Sequence, residues 1–171
     1  MIASAALTTL LCLSVWFDVR SRRIPNALTV AGLVAALVLR GSLGLSPLVE
    51  GVAGAGLGLA LALVPFALGM LGGGDVKLLA AVGAFMGPGR LIGAFLAIAL
   101  VGGALALLEA LRRRAACEMM SRSFAVVKNL ALFGRFGYRP TLESENAMTV
   151  PYGVAIAVGS LGWWFAVGGT S

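Results

Sequence analysis

The strongest constraint in this sequence is a succession of apolar stretches, each near the length of a bilayer crossing and separated by short Gly, Pro or basic breaks. A hydrocarbon core of about 30 Å takes roughly 20 residues of helix. In lipid, backbone polar groups must be satisfied internally, which admits helices and closed barrels only. The stretches fall at 2–17, 27–39, 48–71, 77–86, 91–108 and 151–167. Together they predict one all-α domain over 1–171, a polytopic helical membrane protein of about six transmembrane helices with both termini outside. The balance of 60% hydrophobic to 12% charged residues agrees, since soluble domains are about a quarter charged. The first stretch lacks a basic leader and is followed by Arg20, Arg22 and Arg23 rather than a cleavage site, so it reads as a retained span.

Gly87-Pro88-Gly89-Arg90 is either a hairpin between two short helices or a kink in one long helix. Charge separates the two. With a hairpin, 11 of the 13 cations lie in connections 18–26, 72–77 and 109–149, leaving Arg40 and Arg90 on the other side. That is the bias expected of cytoplasmic loops. The +6 net charge therefore sets orientation and does not suggest nucleic acid; the expected surroundings are the lipid bilayer of a bacterial inner membrane. In the basic cytoplasmic loop 109–149, Met120, Phe124, Val127 and Ala131 follow helical spacing. They predict either an interfacial amphipathic helix or a tether whose cations only set topology.

Spans two and four are short: 75–86 makes about 18 Å of helix. Tilt, local thinning or a protein-lined cavity would compensate. In span three, Gly54-Ala55-Gly56-Leu57-Gly58 suits close helix approach, or merely reflects a chain with 24 glycines.

Histidine is absent, and Cys12 and Cys117 are the only cysteines. Ser/His and Cys/His nucleophilic arrangements, His-based metal sites and four-cysteine zinc sites are thereby excluded, and no cofactor is expected. Of the acids, only Asp18 and Asp75 are aspartates, each at the predicted cytoplasmic end of a span. A carboxylate at membrane depth costs on the order of 2.5–3.5 kcal/mol, which makes it a functional candidate. The structural alternative pairs Asp18 with Arg20 or Arg22, and Asp75 with Lys77, at the interface. Held together, two aspartates share one proton near neutrality because like charges repel. The ionised member then takes a proton from water while the protonated one polarises a carbonyl.

Gly72-Gly73-Gly74-Asp75 fits a G-x-G-D pattern, in which Gly72 and Gly74 permit unusual backbone angles and close approach of a second chain. Lys77 either tunes the pair or snorkels to the interface. Asn26 either orients a carboxylate or, with Pro25, only starts span two. Glu50 and Glu109 read as solvated span ends, and Trp163 and Trp164 as an interfacial belt.

Three stretches resemble the type IV prepilin peptidase family, particularly its short form associated with tight-adherence (Flp-type) pili. They are Asp18-Val19-Arg20-Ser21-Arg22-Arg23-Ile24-Pro25-Asn26, Gly72-Gly73-Gly74-Asp75-Val76-Lys77-Leu78, and Val150-Pro151-Tyr152-Gly153. The resemblance implies an aspartyl endopeptidase with Asp18 and Asp75 as its catalytic pair. It further implies cleavage of a short basic leader from prepilin or pseudopilin precursors at the cytoplasmic face. Longer family members carry paired Cys-x-x-Cys motifs and methylate the new amino terminus. This chain has no such insertion between spans one and two, so no N-methyltransferase activity is expected. The alternative is a non-enzymatic membrane carrier or pilus-assembly scaffold using the aspartates for ions or partners, although no internal repeat favours a carrier.

Overall fold

The computed structural model describes residues 1–68, 70–112 and 152–168. Among them there are six helices and no strand: α1 (Ile2–Ser21), α2 (Asn26–Gly41), α3 (Leu45–Ala67), α4 (Gly73–Met86), α5 (Pro88–Arg112) and α6 (Tyr152–Ala166). The all-α expectation holds. The expected amphipathic stretch in 109–149 lies outside the described residues apart from the end of α5.

Helix ends follow the local sequence. Arg22 takes a left-handed φ of 50° and closes α1, its N–H returning to the Asp18 carbonyl at 2.9 Å. Pro25 is the N-cap of α2 in extended conformation, suited to a residue that lacks a backbone donor. α3 stops at Ala67, short of the expected 71, two residues after Pro65; a proline ring removes one helical bond and crowds the preceding turn. At the Gly-Pro-Gly break, Gly87 has a φ of 74°, a left-handed conformation that glycine adopts without steric cost. A Cβ on Gly83 would lie 3.0 Å from the Leu91 side chain, whereas eight residues of continuous helix would separate them by about 12 Å. The chain therefore turns back at Gly87 instead of kinking.

Close contacts fix the directions of the other helices. Gly32 abuts Leu10, and Arg40 reaches Glu50. Gly54 and Gly83 meet backbone to backbone, and Gly58 meets Leu79. Along α5 and α6, Gly93 meets Trp163, Ile98 meets Gly159 and Gly102 meets Tyr152, so these two helices run antiparallel. α6 closes onto α1 through Trp164 to Ser4 at one end and Gly153 to Asp18 at the other. The helices thus alternate up and down.

α4 occupies the middle and touches every other helix. Leu78 through Met86 are all buried, and at 14 residues the helix is about 21 Å long. Of the three compensations expected for this short stretch, tilt, local thinning or a protein-lined setting, burial among the other helices favours the last. Gly54 and Gly58 are what let α3 approach, since a Cβ at Gly58 would lie 2.6 Å from the Leu79 carbonyl oxygen. Gly56 faces open space, so the glycine cluster is only partly a packing device.

Three helices, α1, α3 and the 88–109 part of α5, are long and apolar enough to cross a membrane; α2 and α6 are shorter apolar helices. Val30, Val34 and Val38 on α2, and Val52, Leu59 and Leu63 on α3, are exposed. Such an outer surface suits hydrocarbon rather than water. Trp164 departs from the interfacial belt: it is only 6% exposed, bonded through its indole N–H to Ser4 Oγ at 3.3 Å and stacked under Arg90.

Candidate active site

The alternation brings the end of α1 and the starts of α2, α4 and α6 to one end of the bundle. There the structure gathers all six residues singled out from sequence: Asp18, Asn26, Gly72, Gly74, Asp75 and Lys77. Among the described cations, Arg20, Arg22, Arg23, Lys77 and Arg112 stand at this end, and Arg40 and Arg90 at the other.

Asp18 projects inward from the last turn of α1 and is buried. Its Oδ2 accepts a hydrogen bond from the backbone N–H of Gly153, at 2.9 Å. Arg22, one turn further on, lies within electrostatic range, while Arg20 stacks over Trp16 with its guanidinium 5.8 Å from the ring centre.

Asp75 is the third residue of α4. Its Oδ2 accepts the N–H of the N-cap residue Gly72 at 3.1 Å. This bond satisfies one of the free donors at a helix start, where the dipole also favours a negative group. Its Oδ1 is buried with no hydrogen-bond partner among the described residues. An unpaired buried carboxyl oxygen is costly, so the local chain holds Asp75 in place at the expense of one unsatisfied atom. Gly74 makes room on the other side: a Cβ there would lie 3.1 Å from Ile24 Cβ, and buried Ile24 packs against the first turn of α4.

The two acids, 57 positions apart in sequence, are close enough for Asp75 to feel the charge of Asp18, and Tyr152 to feel that of Asp75. Lys77 does not settle on Asp75; its Nζ donates to Asn26 Oδ1 at 2.8 Å, tying α4 to the start of α2. Glu50 stands at the far end, paired with Arg40 at 3.3 Å. A cavity of about 570 Å³ also lies at that far end, lined by Arg40, Glu50, Met86, Arg90 and Trp164 among others, and is separate from the aspartates.

The family model for the type IV leader peptidase family matches residues 5–107. The chain belongs to that family. No curated protein and no solved structure matches it. Family membership makes the chain a peptidase, a hydrolase of peptide bonds, and the match takes in both aspartates. In this chain each aspartate has one oxygen held by a backbone N–H, and Asp75 Oδ1 has no partner among the described residues. Two carboxyl groups so arranged can divide one proton and act as base and acid on opposite sides of a peptide bond.

What sequence reasoning missed is the contact between α6 and Asp18. Pro151-Tyr152-Gly153 stood out only as a resemblance. A signal was present in the glycine at a helix start, but nothing local says which side chain it must clear.

Proposed function

We propose that this leader peptidase is an aspartyl endopeptidase that removes the short basic leader from type IV prepilin or pseudopilin precursors. Asp18 and Asp75 are its catalytic pair, it works at the cytoplasmic face of the bacterial inner membrane, and it has no N-methyltransferase activity. The observation that carries this reading is that the only two aspartates stand at one end of the bundle, at the end of α1 and the start of α4, each fixed by a backbone N–H.

In this mechanism the ionised carboxylate removes a proton from water as the water oxygen attacks the scissile carbonyl carbon. The protonated partner donates a hydrogen bond to the carbonyl oxygen. The tetrahedral intermediate collapses, the carbon–nitrogen bond breaks, and the leaving amine takes the proton from the acid. A precursor anchored by its own apolar helix presents its leader at the bundle end where the acids meet, and the bilayer supplies orientation otherwise drawn from binding energy. The cytoplasmic assignment rests on the cations of that same end. The absence of methylation rests on the four-residue link between α1 and α2, residues 22–25, which leaves no room for an inserted Cys-x-x-Cys domain.

The test is co-expression with a tagged Flp-type prepilin. Asp18→Asn and Asp75→Asn should each abolish the size shift of the precursor while the enzyme still accumulates in the membrane. Processing by both variants would remove the pair from the mechanism.

A further inference from the structure

Gly153 is the second residue of α6, beyond the residues matched by the family model, and yet α6 meets Asp18 through it. Its N–H donates to Asp18 Oδ2 at 2.9 Å in a buried contact spanning 135 positions of sequence. Backbone conformation does not explain the glycine, because Gly153 is not among the residues with positive φ. Space does. A Cβ at this position would stand 2.6 Å from Asp18 Oδ2 and 3.0 Å from both Cβ and Cγ of the same side chain. The neighbouring Tyr152 lies within range of the charge on Asp75, and its ring rests against Gly102 of α5. The first turn of α6 therefore addresses both acids.

We propose that Gly153 is a positioning residue for the peptidase reaction: its N–H and its lack of a side chain together set the orientation of the Asp18 carboxylate toward the second acid. The inference rests on the two-aspartate reading above. The charged and titratable groups around this contact are Arg22 just past the end of α1, Asp75 on α4 and Tyr152 on α6. The atom that the Gly153 N–H holds is Asp18 Oδ2. An added methyl group pushes that oxygen away, and displacements near 1 Å at a reacting group cost about 100-fold in rate.

The experiment compares Gly153→Ala with Gly159→Ala in the purified full chain in detergent, with a tagged prepilin as substrate. Gly159 is a matched control: it lies on the same helix, and a Cβ there would stand 2.6 Å from Ile98 backbone atoms, away from the acids. Gly153→Ala should lower kcat about 100-fold with KM within about two-fold, the pattern of a group that acts at the reacting centre rather than in binding. Gly159→Ala should lower thermal stability while kcat per folded molecule stays within about three-fold. Unchanged kcat in Gly153→Ala, or equal kcat losses in both variants, overturns the proposal.

If Gly153→Ala does not accumulate, the amide resonances of 15N-glycine-labelled enzyme decide. The Gly153 signal should move in Asp18→Ala while the Gly159 signal stays, and a stationary Gly153 signal overturns the proposal. Wild-type cleavage by Asp18→Asn, measured alongside, would sink the two-aspartate reading itself and this inference with it. An inactive Asp18→Asn beside a fully active Gly153→Ala removes only the role of Gly153.

Discussion

Lys77, the fifth residue of α4, reaches the first residue of α2, its ammonium donating to Asn26 Oδ1 at 2.8 Å. The bond joins the two sequence stretches that each carry an aspartate. Both partners are exposed, so its worth lies in alignment more than in stability. Asn26→Ala and Lys77→Ala should each cost less than about 1 kcal/mol of stability. In cleavage assays the double variant should be no worse than the poorer single variant, because residues in contact are not additive. Additive losses would show that the two act separately.

The crossing of α3 and α4 depends on hydrogen atoms where side chains would be. Gly54 meets the backbone of Gly83, so Gly54→Ala should lower stability by about 1–3 kcal/mol. Gly56→Ala, two residues away and facing open space, should be neutral or stabilising by up to about 1 kcal/mol. Thermal unfolding in one detergent compares them, and equal effects would refute the assigned face of α3.

Arg40 ties its own helix, α2, to α3 and α4 at the far end. Its guanidinium donates to the carbonyl oxygens of Pro47 at 3.2 Å and Phe85 at 3.0 Å, and to Glu50 at 3.3 Å. Arg40→Ala strands two carbonyls and should cost about 1.5–3 kcal/mol. Glu50→Gln should cost less than about 1 kcal/mol, since the Glu50 side chain is 60% exposed and exposed ion pairs contribute little. Neither change touches the aspartates, so cleavage per folded molecule should stay near wild type.

The proposed chemistry uses two carboxyl groups and water, with no thiol. Cys12 is exposed on α1. Alkylating the enzyme, or replacing Cys12 with Ser, should therefore leave prepilin cleavage within about two-fold of wild type, whereas nucleophilic thiol catalysis would lose orders of magnitude. Loss of cleavage in Cys12→Ser would count directly against the two-aspartate mechanism.

Much of the fold was legible because burial in lipid writes itself into composition. Each apolar stretch became a helix, and the charge bias correctly chose a turn over a kink at Gly87. The surroundings of two elements were not legible, for one reason. Apolar and aromatic side chains such as those of the 77–86 stretch and Trp164 serve equally well against lipid, at an interface or against protein. Only the packing shows that α4 is central and that Trp164 is buried between Arg90 and Ser4. Likewise Lys77 was within sequence reach of Asp75, yet it bonds Asn26, a partner 51 positions away.

The sequence by itself determined that this chain is helical, suited to a membrane and left with two aspartates as its distinctive acids, because solvent preference and residue chemistry are properties of single positions and short periods. Tertiary structure alone decided which glycines carry contacts, what each carboxyl oxygen touches, and that α6 supplies the N–H holding Asp18. Those are distances between residues as far apart as 135 positions, and no local pattern encodes them; they exist only once alternating helices close around α4.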